Sequence, residues 1–310
     1  MAFHSGFVSI LGRPNAGKST LLNALAGEKL AIVSPKPQTT RNRIQGIVHV
    51  ATGSSEGQVI LIDTPGVHRA DSALGRKMMV EVREALAGSD LILLLADVLN
   101  DSAALDRFVL DLARQAGTPV LLVLNKIDRL EKSKLLPLID RWRKLYEFRE
   151  IIPISALKGD GLKILVERMV NALPQGPRYF PEDQLTDQPM RFMAGEIIRE
   201  QILSATREEV PYATAVIVER FEAREKLTRI TAAIYCDRAS QKRILIGKGG
   251  QMLKKIGTAA RRQIEKMLGT QVFLQLFVKV EPGWRNSRQF VEELDWRRQL
   301  ENLVGARPRS

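Results

Sequence analysis

One stretch of the sequence, Ile10-Leu11-Gly12-Arg13-Pro14-Asn15-Ala16-Gly17-Lys18-Ser19-Thr20, decides the fold of the chain. The mostly apolar residues 7–11, which overlap the start of this stretch, predict a buried strand. The residues from Lys18 onward predict a helix. A glycine-rich turn between a strand and a helix directs backbone N–H groups at an anion, which the helix dipole also attracts. The pattern predicts a phosphate-binding loop in which Lys18 contacts the β- and γ-phosphates and Ser19 binds Mg²⁺. Its nucleotide-contacting residues would be Gly12, Arg13, Pro14, Asn15, Ala16, Gly17, Lys18, Ser19 and Thr20.

The length and composition indicate a two-domain globular protein. A chain of 310 residues is long for one domain and suits two, each able to bury a core. The lone Cys236 excludes an internal disulfide and fits a reducing cytoplasm. We expect no secretory signal in the first residues, and the longest apolar run, 91–96, is too short to span a bilayer.

The positive charge is concentrated in the second half. The net charge is +12, of which residues 1–175 carry +5 and residues 176–310 carry +7. Between Arg238 and Lys266 there are nine basic residues and a single acid, Glu265. This cluster predicts a polyanionic partner, with nucleic acid the first choice and an anionic membrane surface the second.

The residues from Ser34 to Arg41 predict a mobile loop, because they contain two prolines and no periodicity. In a nucleotide switch, such a loop supplies a threonine to Mg²⁺ and the γ-phosphate. Thr40 is our first choice for this role and Thr39 the second. Arg41 and Arg43 either assist hydrolysis or only solvate the loop.

Two strand-like runs, 44–50 and 59–62, follow and predict an antiparallel hairpin with a Gly/Ser turn. The second run ends in Asp63-Thr64-Pro65-Gly66. An aspartate at a strand end can bind Mg²⁺ through water, and the Gly66 N–H can meet a γ-phosphate, although Asp, Pro and Gly also suit a plain turn. The predicted metal ligands are therefore Ser19, Thr40 and Asp63.

The next residue, Val67, occupies the position where Ras-like GTPases carry a glutamine that orients water. An apolar side chain cannot bind water, so the charge for catalysis must come from elsewhere. One hypothesis is that Asn15 helps to bind K⁺ beside the phosphates, and its alternative is a structural turn asparagine. His68 is a weaker candidate for a base, because a loop histidine is more often solvated. The predicted catalytic residues are Lys18, Asn15 and Thr40.

Asn125-Lys126-Ile127-Asp128, after the strand-like run 120–124, predicts a guanine site. Asp128 can accept both guanine donors, N1–H and N2–H₂, which adenine does not offer together. Lys126 can lie along the base and Asn125 can tie the loop to the phosphate loop. The later segment Ser155-Ala156-Leu157 would direct a backbone N–H, that of Ala156 as first choice, at guanine O6.

Alternating strand and helix patterns predict a doubly wound α/β domain over residues 1–173, with its ligand at the carboxyl ends of the strands. Residues 174–189 contain four prolines and no apolar periodicity, which predicts a linker.

The second half predicts a smaller α+β domain over residues 190–283, with the order helix, two strands, two helices, strand. Between the paired helices lies Gly247-Lys248-Gly249-Gly250. A GxxG loop between helices is typical of a type II KH domain, which clamps single-stranded RNA, although GxxG alone is often only a turn. The following helix would expose a basic face of Lys254, Lys255, Arg261 and Arg262, with Lys266 beyond them.

Two features of this half leave alternatives open. Phe273 and Phe277 share one face of the last strand and either stack on bases or, as the favoured role, pack in the core or between domains. Residues 284–310 form a basic tail that either caps the domain or extends the RNA site.

Together, GRPNAGKST, PQTT, DTPG, NKID and SALKG followed by GKGG resemble the Era family of ribosome-assembly GTPases over nearly the whole chain. The resemblance implies GTP and GDP binding with Mg²⁺, hydrolysis assisted by K⁺, and binding of the 3′ region of 16S ribosomal RNA during 30S subunit maturation. It also implies a cytoplasmic protein with peripheral association at the inner face of the plasma membrane. No DNA partner is expected.

Two other functions remain as alternatives. The chain could be a constitutive RNA-binding protein whose guanine nucleotide is structural. Alternatively, the basic cluster could be a patch that binds a membrane surface.

Overall fold

The computed structural model describes residues 2–51, 56–68, 70–100 and 103–299. By its internal contacts the chain forms two compact units. The first consists of Met1–Arg69 with Met78–Asp187, and the second of Ala70–Lys77 with Gln188–Ser310.

The first unit contains a six-stranded sheet in the order β2-β3-β1-β4-β5-β6. Its strands are β1 (Phe3–Gly12), β2 (Ile44–Ala51), β3 (Glu56–Asp63), β4 (Leu91–Asp97), β5 (Val120–Asn125) and β6 (Glu150–Ile154). The β2–β3 pair is antiparallel, as the hairpin prediction required, and the other pairs are parallel. The turn predicted between β2 and β3 lies largely outside the described residues. Because the central strands are parallel, their carboxyl ends meet at one edge of the sheet.

Helices cover this sheet because its central strands are apolar on both faces. The helices are α1 (Lys18–Ala26), α2 (Ala73–Ala87), α3 (Ala103–Ala116), α4 (Leu135–Arg143) and α5 (Leu162–Ala172). Every residue of β4 is buried. Its Ile92 and Leu94 share a core with α2, α3 and α4, and helices α1 and α5 contact β1 and β3. The doubly wound α/β prediction is confirmed.

Helix α4 and the short turns Ile127–Arg129 and Lys132–Lys134 have no counterpart in the sequence prediction. The signal for α4 is nevertheless present, because Leu135, Leu138, Ile139 and Trp142 recur at helical spacing and pack on the core. Pro137, in the first turn of the helix, is tolerated there because that turn has no internal partner for its N–H.

The segment predicted as a linker is instead bonded to the first unit as far as Asp187. Gln58, which is fully buried, accepts hydrogen bonds from the N–H groups of Tyr179 at 2.8 Å and Phe180 at 3.0 Å. Farther along, the Ile47 N–H donates to the Leu185 carbonyl at 2.8 Å. These bonds satisfy polar groups along the sheet, so the predicted boundary at residue 173 is corrected to 187.

The second unit has the α+β order that the sequence predicted. Its elements are α6 (Met190–Ala205), β7 (Thr214–Glu222), β8 (Leu227–Cys236), α7 (Ala239–Ile246), α8 (Gln251–Leu268), β9 (Gln271–Val280) and α9 (Arg288–Glu293). The sheet order is β7-β8-β9, with β7 antiparallel and β9 parallel to β8. Helices α6, α7 and α8 share one apolar core with this sheet. Cys236, at the end of β8, is fully buried.

The first part of the predicted tail packs on the second unit. Trp284 is fully buried and its Nε1–H donates to the Ala213 carbonyl at 2.9 Å. The ring of Phe290 lies 4.9 Å from that of Tyr235. Residues 284–291 therefore cap the domain, while residues 300–310 of the predicted tail lie outside the described residues.

Candidate functional site

The loop between β1 and α1 has a backbone that requires glycine at two positions. Gly17 has a φ of 97°, and a Cβ there would lie 2.3 Å from Asn125 Nδ2. A Cβ at Gly12 would lie 2.5 Å from the Leu95 carbonyl oxygen. Gly17 is also the N-cap of α1, so the free N–H groups of that helix begin at the loop. This is the anion-binding geometry that the sequence predicted.

Lys18 lies buried against the loop. Its Nζ donates to the carbonyl oxygens of Gly12 at 3.2 Å and Arg13 at 3.0 Å. Burial lowers the pKa of Lys18 to about 8, and the nearby Asp63 carboxylate acts in the opposite direction. An ammonium group held in a desolvated loop favours the approach of an anion, because an anion would supply the missing charge.

Three oxygen-bearing side chains meet beside Lys18. The Ser19 hydroxyl donates to Asp63 Oδ2 at 2.7 Å and lies 2.9 Å from the Thr40 hydroxyl, which donates to the same carboxylate oxygen at 3.2 Å. The pKa of Asp63 is raised by burial, which Lys18 and the two hydroxyl groups partly oppose. The other oxygen, Oδ1, is buried and has no hydrogen-bond partner among the residues that the structure describes.

This arrangement fits Mg²⁺. Hard oxygen donors suit the ion, which is usually held by one or two carboxylates together with substrate phosphates. Within the described ranges no group of three or more His, Cys, Asp and Glu side chains could hold a metal ion by itself. The Ser19, Thr40 and Asp63 set is therefore suited to a metal ion that arrives with phosphates.

The loop before β2 contacts the phosphate loop through Asn15. This residue has a φ of 61°, and its Nδ2 donates to the Pro35 carbonyl at 2.7 Å. The Thr39 hydroxyl donates to the Lys36 carbonyl at 2.6 Å, whereas Thr40 is buried and faces Asp63. The geometry therefore favours Thr40 over Thr39 as a ligand.

The two arginines of this region do not simply solvate the loop. Arg41 is buried, and Arg43 lies within ion-pair distance of Glu81 and Glu84 on α2. Both side chains therefore contribute to packing of the first unit.

The segment after β3 is tied to the phosphate loop. The Val67 N–H donates to the Gly12 carbonyl at 3.1 Å, and the Thr64 hydroxyl donates to the Ile10 carbonyl at 2.7 Å. A Cβ at Gly66 would lie 2.8 Å from Pro14 Cα, so only glycine fits. The Val67 side chain is fully buried in the core, away from any water-binding role.

His68 differs from the solvated loop histidine that was expected. It is half-buried, and its Nδ1 lies 2.8 Å from the Gly66 carbonyl oxygen. A ring nitrogen held to the backbone of its own loop orients the imidazole.

The predicted base-recognition residues meet at the ends of β5 and β6. Asn125 Nδ2 donates to the Ala16 carbonyl at 2.8 Å, which ties this loop to the phosphate loop as expected. The Ser155 hydroxyl donates to Asp128 Oδ1 at 2.7 Å and so orients that exposed carboxylate. The Ala156 N–H, predicted to meet guanine O6, donates to Asn125 Oδ1 at 3.0 Å. It would have to exchange that acceptor for a bound base.

Sequence reasoning missed Asp97, which holds Lys126 in place. Lys126 Nζ donates to Asp97 Oδ2 at 2.7 Å and to the Asn15 carbonyl at 2.8 Å. Burial alone would raise the pKa of Asp97, but the hydrogen bonds from Lys126, Leu99 and Asn100 together hold it below its usual range. The available signal was position, because Asp97 ends β4 at the edge where the other site residues lie.

Arg13, predicted to contact the nucleotide, directs its side chain elsewhere. The guanidinium pairs with Asp106 at 3.3 Å and donates to the Asn100 carbonyl. In this structure Arg13 fixes the loop rather than lining the cavity.

Most of the remaining predicted residues line one cavity of about 500 Å³ in the first unit. Its lining does not include the predicted residues Gly12, Ala16, Asp63, Thr64 and Pro65. It is lined by Pro14, Asn15, Gly17, Lys18, Ser19, Thr20, Ile32, Val33, Ser34, Pro35, Gln38, Thr39, Thr40, Gly66, Asn100, Asn125, Lys126, Asp128, Arg129, Ser155, Ala156 and Leu157. The volume and the mixture of phosphate-binding and base-recognising groups suit a nucleotide.

A second candidate site, in the second unit, is the loop between α7 and α8. Gly247, Gly249 and Gly250 have φ angles of 72°, 57° and 78°, all in the left-handed region. A Cβ at Gly247 would lie 2.7 Å from Met252 Cβ, whereas Gly249 and Gly250 face open space. The loop therefore presents an uncovered backbone with the exposed Lys248 beside it.

Helix α8 has the two faces that its sequence predicted. Ile256, Ala260 and Ile264 are buried in the core of the second unit. The opposite face exposes Lys254, Lys255, Arg261, Arg262 and Lys266. Of these, Arg261 donates to Glu265 at 2.8 Å. The loop and this face form one basic surface.

Comparison with protein families agrees with the two units. A family model described as 50S ribosome-binding GTPase matches residues 7–126, and a KH domain model matches residues 209–285. The first contains the phosphate loop and the start of the base-recognition motif, and the second contains the GxxG loop.

Curated relatives match nearly the whole chain. GTPase Era of Ruminiclostridium cellulolyticum is 48% identical over 96% of this chain and 99% of its own length. GTPase Era of Geobacter metallireducens is 52% identical over 95% of this chain and 98% of its own length.

Solved structures also match nearly the whole chain. A single-residue variant of Aquifex aeolicus Era bound to GDP·AlF₄⁻ is 40% identical, with a TM-score of 0.90 over 94% of this chain and 99% of that one. Era in complex with MgGDPNP and nucleotides 1506–1542 of 16S ribosomal RNA is 39% identical, with a TM-score of 0.90 over 95% and 99%. This chain therefore belongs to the Era family of GTPases.

Proposed function

We propose that this protein is a GTP-driven switch that binds the 3′ region of small-subunit ribosomal RNA and assists 30S subunit maturation. One observation carries the proposal: a guanine-nucleotide cavity and an open GxxG loop occur in one chain whose fold matches Era in complex with MgGDPNP and 16S ribosomal RNA. Hydrolysis would convert the switch between two states with different RNA affinity.

In the phosphate half of the cavity, the chain supplies fixed positive charge and oxygen ligands. The N–H groups at the start of α1 and the Lys18 ammonium would hold the β- and γ-phosphates. Bound Mg²⁺ would neutralise charge on those phosphates. Ser19 and Thr40 would hold it directly and Asp63 through water, exchanging their present mutual hydrogen bonds for it.

In the base half, Asp128 would accept the paired donors of guanine while Ser155 keeps its carboxylate oriented. Lys126, held by Asp97 and the Asn15 carbonyl, would lie along the base. Both groups are positioned before a ligand arrives, which reduces the entropy cost of binding.

Hydrolysis requires an attacking water and positive charge near the γ-phosphate. Val67 cannot orient that water, because its side chain is buried in the core. The contact between Asn15 and the Pro35 carbonyl supports a K⁺ site, since it brings an amide side chain and a loop carbonyl together beside the phosphate loop.

The test of this site is the hydrolysis rate in K⁺ against Na⁺, at equal ionic strength, for the natural protein and for Asn15→Ala. We expect faster hydrolysis in K⁺ and loss of that preference in the variant. Equal rates of the natural protein in both salts would remove K⁺ from the proposal and leave nucleotide binding unaffected.

In the second unit, the open loop from Gly247 to Gly250 would admit RNA phosphates to the backbone, with Lys248, Lys254 and Lys255 adding charge. Arg261 and Arg262 would extend the contact along α8. Because such contacts release counterions, the affinity should fall as salt rises.

The experiment that tests the whole proposal compares RNA affinity with GDP and with a non-hydrolysable GTP analogue. A single-stranded RNA from the 3′ region of 16S ribosomal RNA is the probe, and a scrambled RNA is the control. Different affinities for the probe in the two nucleotide states are expected. Equal affinities would favour a constitutive RNA-binding protein whose nucleotide is structural.

We also propose a cytoplasmic location with peripheral contact at the inner face of the plasma membrane, supported by the basic surface on α8. No helix among the described residues is long and apolar enough to cross a bilayer. Competition between anionic vesicles and single-stranded RNA tests the contact, because a shared surface predicts that each displaces the other. If anionic vesicles do not bind the protein, the basic surface would bind RNA and not a membrane.

A further inference from the structure

The strand β9 leaves two aromatic rings uncovered on the outer face of the second unit. Phe273 is 46% exposed and Phe277 is 50% exposed, whereas Val272 and Val278 on the inner face are buried. The favoured prediction for these two rings is packing in the core or between domains, and its first part, packing in the core, is therefore wrong. Packing between domains stays a prediction. Two large rings exposed on one sheet face indicate an interaction surface rather than a requirement of the fold.

The spacing of side chains along this face would allow flat, ring-shaped groups to bind one after another along the strand. Side chains four residues apart on a strand point the same way and lie about 13 Å apart. Gln275 lies midway between the two rings and is exposed on the same face. Thr231 and Ala233, which pair with Gln275 and Phe277 on β8, are small. We call Phe273, Gln275 and Phe277 the aromatic platform.

Positive charge borders the platform. Arg229 pairs in register with Phe273, and its guanidinium lies 5.5 Å from the ring centroid. Beside them is an open cavity of about 860 Å³, whose lining includes Arg229, Arg261, Lys266 and Phe273. Arg261 pairs with Glu265, but within the described ranges neither Arg229 nor Lys266 has a carboxylate at ion-pair distance. Two cations are thus available to an anionic ligand.

Elsewhere on this sheet the chain covers its aromatic rings. Tyr235 packs on Phe290, and Trp284 is fully buried. Of the two exposed rings, Phe273 lines the basic cavity and Phe277 lies four residues farther along β9. Aromatic rings next to available cations are the combination that binds single-stranded nucleic acid, in which bases stack on rings and phosphates meet the cations.

We infer that the aromatic platform is a second contact site for single-stranded RNA, with bases stacked on Phe273 and Phe277 and phosphates bound by Arg229 and Lys266. The inference rests on the RNA binding proposed above. Phe273 and the cavity adjoin the end of α8 that is away from the GxxG loop. Phe277 lies nearer the loop, because its neighbour Leu276 approaches Gly257 in the first half of α8. An 18-residue helix spans about 27 Å. One RNA must therefore extend well beyond the nucleotides held by the loop to reach Phe273 and the cavity.

The test measures the affinity of the full-length protein for single-stranded RNAs from about four to about sixteen nucleotides long. The variant Phe273→Leu/Phe277→Leu keeps apolar side chains but removes both rings. Each lost stacking contact should weaken binding roughly 5-fold or more, on the longest RNA only. The shortest RNA, which the GxxG loop can hold alone, should bind the variant as it binds the natural protein.

The matched control is Phe273→Tyr/Phe277→Tyr, which keeps both rings and should retain the full affinity for the longest RNA. Unchanged affinity of the leucine variant for the longest RNA would overturn the inference, because the two rings would then make no contact with RNA. Equal weakening on the shortest and longest RNAs would also overturn it, because the effect would then not depend on length.

A different variant separates this result from failure of the proposed function. Gly249→Asp/Gly250→Asp places negative charge in the GxxG loop and should abolish binding of the shortest RNA while leaving a weak, ring-dependent affinity for the longest. If the natural protein binds none of the RNAs, the proposed function itself is wrong, and the inference falls with it.

Discussion

Asp128 is an exposed carboxylate whose orientation depends on a single hydroxyl group, that of Ser155. Substitution Asp128→Asn replaces one acceptor oxygen by a donor, so the two donors of guanine lose their shared partner. We expect weaker binding of GTP, by roughly 10-fold to 100-fold, and stronger binding of xanthosine triphosphate, whose altered base edge suits an amide.

Equilibrium binding of both nucleotides measures this change. Asp140→Asn, at an exposed carboxylate on α4, is the matched control and should leave both affinities unchanged. An unaltered base preference in Asp128→Asn would show that the base lies elsewhere in the cavity.

Lys18 illustrates a conflict between stability and function. Burial lowers its pKa to about 8, so the nucleotide-free protein bears the cost of an ammonium group held out of water. Lys18→Met should abolish tight nucleotide binding yet raise the unfolding free energy of the nucleotide-free protein at pH 7, by about 1–3 kcal/mol.

The pH dependence follows from the direction of the shift. The folded pKa lies below the ordinary value of 10.5, so the unfolded chain binds more protons between about pH 8 and pH 10.5. The natural protein should therefore gain stability over that range, and the advantage of Lys18→Met should shrink. Denaturant unfolding at several pH values measures both, and a constant difference between the two proteins would contradict the assignment.

Single residues were predictable where a motif fixes their chemistry. Ser19, Asp63 and Asn125 lie where their motifs placed them, because each motif spans a strand end that the sheet brings to one edge. The position of Asp97 at a strand end was a usable signal, but its pairing with Lys126, like that of Asp106 with Arg13, was not predictable, since these pairs join segments that are far apart in the sequence.

Helix α8 is the element in which sequence and structure agree most directly. Its apolar residues recur at helical spacing, so the buried and the basic faces follow from periodicity alone. If Lys254 and Lys255 contact phosphates, each substitution to glutamine should weaken RNA binding for all sequences and reduce the slope of log affinity against log salt by about one.

Titration of RNA at several salt concentrations measures that slope. Lys132→Gln and Lys134→Gln, at exposed lysines of the first unit, are the matched controls and should leave it unchanged. An unaltered slope in the Lys254 and Lys255 variants would mean that this face is only solvated.

Segments without periodicity were harder to assign. Residues 174–189 were predicted to be a linker because they contain prolines and lack an apolar pattern, yet this segment is held by hydrogen bonds to β1, β2 and β3 as far as residue 187. The decisive partner, Gln58, is a buried polar residue on a distant strand. Propensity describes local preference, and such a long-range contact is invisible to it.

At the scale of the whole molecule, the presence of two binding units makes coupling between them measurable. The order of elements predicted the fold class of both units, though not the boundary between them, because strand and helix periods alternate in the first half and the αββααβ order marks the second. Neither the hydrophobic periodicity nor the sequence motifs indicate whether a ligand bound to one unit changes the affinity of the other unit for its own ligand. This coupling must be measured on the intact chain.

Coupling, where it exists, must be reciprocal. If a non-hydrolysable GTP analogue changes RNA affinity by some factor relative to GDP, RNA must change the ratio of the two nucleotide affinities by the same factor. Couplings of this kind are typically about 5-fold to 150-fold. We expect a factor within that range, from RNA titrations in each nucleotide and nucleotide titrations with and without saturating RNA.

Lys18→Met provides the control, because a protein that cannot bind nucleotide should hold RNA with one affinity whatever nucleotide is added. If the natural protein binds RNA equally tightly with GDP and with the GTP analogue, the guanine nucleotide is a structural ligand. A factor above one that survives in Lys18→Met would place the nucleotide effect outside the cavity of the first unit. Only a factor that appears in both titrations and vanishes in the variant makes the third phosphate the signal that the RNA-binding unit receives.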